Sequence, residues 1–178
     1  METGAKNLLI MGAPGIGKST VIKKLIEELK ALKPVGFFTE EIRNAGTRVG
    51  FQLVSLDGRR RNLAHVDMRS RLIVGKYRIN VYGFEKFLNS LDLEGSDGRL
   101  IIIDEIGRME CLSRRFRQMM SEVLEQDRIV VATVAQSGGG MIDTVKQRDD
   151  VVLFELNRRN REEMVGKVVR QIQAIRFS

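Results

Sequence analysis

The sequence contains one cysteine, one histidine, two prolines and no tryptophan among its 178 residues. A lone cysteine, Cys111, excludes an internal disulfide, and we expect it to be a small buried residue rather than a reactive thiol. A lone histidine, His65, excludes a metal site built from His and Cys ligands and gives no partner to a catalytic serine. Because no segment resembles a signal peptide or a membrane span, we expect a cytoplasmic protein without a membrane partner.

Length and composition predict one domain rather than several. A chain with 43% hydrophobic residues can build a continuous core, and no repeat, linker or low-complexity stretch divides residues 1–178. The formal net charge of +7 suits nucleic acid, a membrane surface or a polyphosphate substrate. We therefore expect a single monomeric domain, and the distribution of that charge matters more than its sum.

A glycine-rich loop is the most informative motif of the chain. Residues Gly12 to Ser19 read GAPGIGKS and match G-x-x-x-x-G-K-[ST] between an apolar run, Leu8 to Met11, and a helix-like stretch, Val21 to Leu32. Glycines let consecutive N–H groups turn toward phosphate oxygens at a helix N-terminus. We expect Lys18 on the β and γ phosphates and the Ser19 hydroxyl on the bridging Mg²⁺. The loop residues assigned to the phosphates are Gly12, Ala13, Pro14, Gly15, Ile16, Gly17, Lys18 and Ser19.

A second apolar run ends in two adjacent carboxylates. Leu100 to Ile103 has the length of a buried strand, and Asp104 and Glu105 follow it. Asp104 is placed to hold the metal, directly or through water, as a Walker B aspartate does. Glu105 is placed to orient or deprotonate a water for in-line attack on the γ-phosphate. With Lys18, this pair predicts a catalytic site for phosphate release.

The order of elements predicts an α/β fold. Further strands are expected at Ile129 to Val134 and Val151 to Leu156, further helices at residues 84–91, from Ser113, at Met141 to Arg148 and from Arg161, and a polar turn at Glu94 to Gly98. Residues 35–66 predict an antiparallel meander inserted into this alternation. The expected architecture is a single P-loop domain with a mostly parallel central sheet, helices on both faces and ligand at the carboxyl ends of the strands.

Four further residues near these motifs each leave two interpretations open. Arg108 is either an arginine finger or, the favoured alternative, a surface arginine. Glu40 and Glu41 either join the metal shell or form a charge pair at a strand edge. Asn160, three residues before Glu163, has the pattern of an N-cap in a capping box, which would explain it without a ligand.

Five sequence blocks, in this order along nearly the whole chain, resemble the small thermophilic and human cancer-related nucleoside-triphosphatases. The blocks are GAPGIGKST, GFFTEEIR with VGF, VGKYRINV with FE, IIIDEIGRME and ELNRRNR. The resemblance implies slow, Mg²⁺-dependent hydrolysis of ATP, GTP, CTP and UTP with weak base selectivity. It also adds Thr20 to the phosphate loop and implies that Asn160 and Arg161 lie near the base end of the site. The stretch Ala132 to Gln136 and the glycines Gly138 to Gly140 depart from the family pattern, so no nucleotide contact is assigned to this loop.

Three functions compete, and hydrolysis of nucleoside triphosphates leads. The first alternative is a nucleotide or nucleoside kinase, because the basic segment Arg59 to Arg78 carries seven Lys or Arg against the lone acid Asp67 and could act as a lid over a second substrate. The second alternative is a regulatory ATPase that associates with nucleic acid. Nucleic acid is the less favoured partner, because aromatic residues for stacking are few and no RNA- or DNA-binding signature is present.

Overall fold

The computed structural model describes residues 4–93 and 100–177, and all strands in these residues belong to one sheet. The strands are β1 (Asn7–Gly12), β2 (Val35–Asn44), β3 (Thr47–Ser55), β4 (Arg60–His65), β5 (Ile73–Val74), β6 (Tyr77–Ile79), β7 (Leu100–Ile106), β8 (Ile129–Ala135) and β9 (Val151–Glu155). The α-helices are α1 (Lys18–Glu28), α2 (Val81–Ser90), α3 (Arg114–Glu125), α4 (Met141–Lys146) and α5 (Arg161–Phe177). Short 3₁₀ helices span Lys30–Leu32 and Glu110–Leu112.

The described part of the sheet is mixed, which corrects the expectation of a mostly parallel one. Its strand order is β5-β6-β4-β3-β2-β7-β8-β1-β9. The run from β2 to β9 is parallel, whereas every pairing from β2 to β5 is antiparallel. The parallel half brings the carboxyl ends of β1 and β7 to one edge, where ligands of α/β sheets bind.

Alternate side chains of the parallel strands enter two separate hydrophobic clusters. In β1, Leu8 and Ile10 pack with residues of α1 and α5, whereas Leu9 packs with residues of α2, α3 and α4 on the opposite face. Burial on both faces explains why these strands are apolar at nearly every position. The predicted cover of helices on both faces is therefore confirmed for the parallel half.

The predicted meander is present and is longer than residues 35–66. β2 pairs with β7 only through Val35, Gly36 and Phe37, and the rest of β2 continues beside β3 as a hairpin that turns at Ala45 and Gly46. β5 and β6 extend the antiparallel half to Ile79. The basic segment Arg59 to Arg78 therefore includes three strands of the main sheet.

Most predicted helices and strands are confirmed, but two helices were predicted too long: α1, and α4, which ends at Lys146 rather than Arg148. Ser113 caps α3 by accepting a hydrogen bond from the Phe116 N–H at 3.0 Å. The first helix ends at Glu28 rather than continuing to Leu32, because Leu29 leaves the helical conformation and a 3₁₀ turn follows. The turn expected at Glu94 to Gly98 lies outside the described residues. None of the described helices combines the length and apolar character that a membrane crossing needs.

Candidate active site

The glycine-rich loop joins the end of β1 to the start of α1, as its flanking patterns predict. Gly17 precedes the first helical residue with a φ of 111°, a conformation that side chains other than glycine rarely adopt. A Cβ on Gly12 would lie 2.9 Å from the Leu156 carbonyl oxygen, so that position requires the smallest residue. Lys18 Nζ donates to the carbonyl oxygens of Gly12 at 2.8 Å and Ala13 at 3.3 Å. The lysine is thus folded back along its own loop.

An open cleft of about 760 Å³ lies along the carboxyl edge of the sheet. One side of it is the glycine-rich loop with Ser19 and Thr20, and the other side is the β2–β3 hairpin. The cleft residues outside the loop are Lys23, Thr39, Glu40, Glu41, Arg48, Phe51, Val74, Glu105, Arg108, Met109, Glu110, Ala135, Gln136 and Ser137. The separate sequence motifs therefore meet in one place.

Glu105 faces the loop lysine across this cleft. Its Oε2 lies 3.5 Å from Lys18 Nζ, and its side chain is 29% exposed. Burial raises the pKa of Glu105, the nearby Lys18 ammonium opposes that change, and the adjacent Asp104 carboxylate raises the pKa further. A carboxylate with a raised pKa is a stronger base, so the position suits the proton-accepting role predicted for it.

Asp104 is fully buried and is held by two hydroxyl groups from neighbouring strands. Thr133 Oγ1 on β8 donates to Asp104 Oδ1 at 2.5 Å, and Thr39 Oγ1 on β2 donates to Oδ2 at 3.1 Å. Asp104 does not itself line the cleft, but its partner Thr39 does, so the carboxylate lies one hydrogen bond behind the cleft wall. The sequence did not predict a role for either threonine.

The oxygen groups at this point fit the Mg²⁺ expected from the sequence. The hydroxyl of Ser19 and the carboxylate of Asp104 are hard oxygen ligands, and the Thr39 hydroxyl, which donates to Asp104, belongs to a residue that lines the cleft with Ser19. Within residues 4–93 and 100–177, no three His, Cys, Asp or Glu side chains form a metal cluster.

Glu110 is a second buried carboxyl beside Glu105. It is 5% exposed, and a Cβ added to Gly107 would meet Glu105 Oε1 at 2.7 Å and Glu110 Oε2 at 2.8 Å. Burial raises the pKa of Glu110 well above its ordinary value, and the charge of Glu105 adds to this effect. The sequence pattern gave no signal for Glu110, because only the 3₁₀ turn brings it back toward β7.

A family model described as NTPase matches residues 7–169. The chain belongs to the NTPase family. It is 42% identical over 163 residues to the nucleoside-triphosphatase THEP1 of Thermotoga sp. (strain RQ2), across 91% of this chain and 92% of that protein. It is 33% identical over 188 residues to the human cancer-related nucleoside-triphosphatase, across 97% of this chain and 99% of that protein. The crystal structure of THEP1 from Aquifex aeolicus matches with a TM-score of 0.79 at 30% identity, across 91% of this chain and 96% of that one. The resemblance seen in the five sequence blocks is thereby confirmed.

In this NTPase-family chain, Arg108 lines the cleft, whereas Asn160 and Arg161 lie outside its lining. Arg108 is exposed, lines the cleft and passes over Gly138, where a Cβ would lie 3.4 Å from its Cγ. Arg161 is also exposed, and its Cδ would lie 3.2 Å from a Cβ on Gly17. Arg161 and Asn160 are not among the cleft-lining residues. Asn160 belongs to the turn that follows β9, and Arg161 begins α5 beside Gly17 of the glycine-rich loop.

The capping box predicted for Asn160 and Glu163 is wrong. The Asn160 side chain accepts a hydrogen bond from the Asn157 N–H at 2.9 Å and donates to the Glu155 carbonyl at 2.7 Å. The Glu163 N–H instead donates to the main-chain carbonyl of Asn160, and the Glu163 carboxylate pairs with Lys167. Asn160 therefore orders the turn between β9 and α5 rather than capping the helix.

The second interpretation of Glu40 and Glu41, a charge pair at a strand edge, fits the observed contacts. Glu40 lies 2.8 Å from Arg60 and 2.9 Å from Lys23, and these two partners lower the pKa of Glu40. Glu41 pairs with Arg43 and Arg48. Each carboxylate therefore has two cationic partners, as expected of charge pairs at a strand edge.

The single cysteine and the single histidine both have structural roles. Cys111 is half-buried in the 3₁₀ turn beside Glu110, and burial raises the pKa of its thiol to about 12. Such a thiol stays protonated and is a poor nucleophile, in agreement with the expected structural role. His65 ends β4, where its Nδ1 accepts a hydrogen bond from the Asp67 N–H at 3.1 Å.

Proposed function

We propose that this chain hydrolyses nucleoside 5′-triphosphates to the diphosphate and phosphate. The observation that carries the proposal is the 3.5 Å approach of Lys18 Nζ and Glu105 Oε2 in one cleft. Lys18 can neutralise charge on the γ-phosphate, and Glu105 can take a proton from the attacking water. The two groups that hydrolysis needs therefore lie side by side. The names of the THEP1 and cancer-related relatives support the same reaction class.

The triphosphate binds at the glycine-rich loop under this proposal. The main-chain N–H groups of the glycine-rich loop, except at Pro14, and of the first turn of α1 surround the phosphates, and Thr20 lines the same cleft. Lys18 moves from the carbonyl oxygens of its own loop to the β and γ phosphates. Arg161, at the start of α5 beside Gly17, and Asn160, in the turn before it, are assigned to the base end of the nucleotide.

Ser19 and Asp104 hold the magnesium ion, Ser19 by its hydroxyl and Asp104 directly or through water. When bound, the ion neutralises charge on the phosphate oxygens. Thr39 and Thr133 keep both oxygens of the Asp104 carboxylate in fixed positions. The protein thus fixes the carboxylate before the nucleotide arrives, which avoids reorganisation during the reaction.

Glu105 accepts a proton from the attacking water as the new P–O bond forms and the bond to the diphosphate breaks. The raised pKa of Glu105 favours proton uptake, and the Lys18 ammonium opposes part of that increase. Arg108, which borders the same cleft, is placed to reach charge that develops on the γ-phosphate. Slow turnover of ATP, GTP, CTP and UTP alike is part of the proposal.

Phosphate release from ATP, GTP, CTP and UTP tests this function directly. Each triphosphate is incubated with the purified chain in Mg²⁺ or in EDTA, and the products are separated by ion-exchange chromatography. We expect one diphosphate for each phosphate released, from all four substrates and only with Mg²⁺. If triphosphate disappears only after a nucleoside monophosphate is added, with the phosphate transferred to it, the chain is a kinase and the proposal is wrong.

A further inference from the structure

The wall of the cleft opposite the glycine-rich loop carries no assigned role. It is formed by the β2–β3 hairpin, which continues past the edge where β2 separates from β7. Arg48 and Phe51 on β3 and Val74 on β5 line the cleft on this side, and we call these three residues the aromatic wall. In the strand order, β3 lies beyond β7, whereas the turn after β9 lies beyond β1. The aromatic wall and that turn are therefore at opposite ends of the cleft.

The aromatic wall is held in place by a network of polar and ring contacts. The Arg48 guanidinium lies 5.1 Å from the centre of the Phe51 ring and 5.9 Å from that of Tyr77. Its Nε donates to the Tyr77 hydroxyl at 2.9 Å, and its Nη1 lies 3.0 Å from Glu41 Oε1. Phe51 and Tyr77 meet edge to face, with ring centres 5.1 Å apart. A ligand would therefore find the flat groups already ordered.

The chemistry of the aromatic wall matches a nucleobase. Aromatic rings and guanidinium planes are the surfaces on which proteins stack unpaired bases. Glu41 stands directly across from Phe51 in the β2–β3 pairing, and its carboxylate can accept hydrogen bonds from exocyclic amino or ribose hydroxyl groups. Val74 adds an apolar surface beside the rings.

We propose that the aromatic wall binds the base of a second small ligand, a nucleoside or nucleoside monophosphate, while the triphosphate occupies the glycine-rich loop. This inference rests on the proposed function, because the triphosphate must leave the far end of the cleft open. The base packs against the Arg48 guanidinium and against the part of the Phe51 ring that lines the cleft. The cations around Glu40 and Glu41 outnumber these two carboxylates, so a monophosphate on the ligand is also accommodated.

Calorimetry with two ligands in sequence tests the inference. The chain is first titrated with a Mg²⁺ complex of a non-hydrolysable ATP analogue and, once saturated, with adenosine or AMP. We expect one analogue and one further ligand per chain. Failure of the analogue to bind would refute the proposed function, whereas analogue binding without a second ligand would refute only the subsite.

Two matched variants locate the second ligand. Base stacking on an aromatic side chain contributes about 1–3 kcal/mol, so Phe51→Leu should weaken adenosine and AMP binding roughly 5- to 150-fold. The control is Phe38→Leu, because Phe38 does not line the cleft and its ring instead packs under Lys23, whose Nζ lies 5.2 Å from the ring centre. This control should leave the affinities for adenosine and for AMP unchanged. Equal weakening by the two variants would overturn the proposal. Loss of analogue affinity in Phe51→Leu would also overturn it, since the aromatic wall would then hold the base of the triphosphate itself.

Discussion

Replacing Thr133 by valine removes the hydroxyl that fixes Asp104 and keeps the shape of the side chain. Thr133 and Asp104 are both fully buried, and their hydrogen bond is 2.5 Å long. A hydrogen bond to a charged group contributes about 1.5–3 kcal/mol, and water cannot replace the lost donor at this depth. For a domain of this size we expect the melting temperature to fall by roughly 3–12 °C. Urea denaturation and thermal scans measure both quantities.

Two comparisons attribute that loss to the Asp104 contact. Thr144→Val makes the same chemical change on the exposed surface of α4, so its effect should stay within about 0.5 kcal/mol. In an Asp104→Asn background the partner has no charge, and the cost of Thr133→Val should fall to about half. An unchanged cost in that background, or a loss below about 0.5 kcal/mol in the wild-type chain, would refute the reasoning.

Two further predictions concern charged groups of the cleft. Because burial and Glu105 raise the pKa of Glu110, the folded state keeps a proton that the unfolded state has lost, so stability falls as the pH rises from the unfolded to the folded pKa. The side chain of Glu110→Gln cannot ionise, so the free energy of unfolding of this variant should rise relative to wild type as the pH increases. The rise should be about 1.4 kcal/mol for each pH unit between the two pKa values, starting near the ordinary glutamate pKa of about 4. A difference in urea denaturation that does not depend on pH would contradict this prediction. Lys18→Ala should lower affinity for a fluorescent triphosphate by about tenfold or more and slow turnover, and unchanged affinity would remove Lys18 from the phosphate site.

The core strands could be predicted from the sequence because burial on both faces leaves a continuous apolar run. β7 and β8 show this pattern along most of their length. β5 and β6 could not be predicted, since they span only Ile73–Val74 and Tyr77–Ile79 within a basic segment. β6 pairs with β4, which lies earlier in the chain, and β5 pairs only with β6 among the described strands. Long-range pairing of this kind leaves little local signal.

Site residues in contiguous motifs could be predicted from the sequence, whereas those that depend on long-range contacts were missed. Gly12 to Ser19 and the pair Asp104 and Glu105 are contiguous motifs, and the fold brings the loop and Glu105 to one cleft with Asp104 buried behind Thr39. Thr133 is 29 residues from Asp104, and its hydroxyl matters only because β7 and β8 are neighbours in the sheet. Glu110 is likewise distinguished by burial rather than by any pattern around it.

The most direct test of the proposed hydrolysis is Glu105→Gln, which keeps the size of the side chain and removes its ability to take a proton. Affinity for Mg²⁺ with a triphosphate analogue and the rate of phosphate release are measured on the same preparations, with Glu122→Gln on the exposed face of α3 as the matched control. We predict nearly unchanged affinity and a rate lower by about a hundredfold, with the control equal to wild type. Phosphate release at the wild-type rate from Glu105→Gln would show that another group activates the water and would contradict the account.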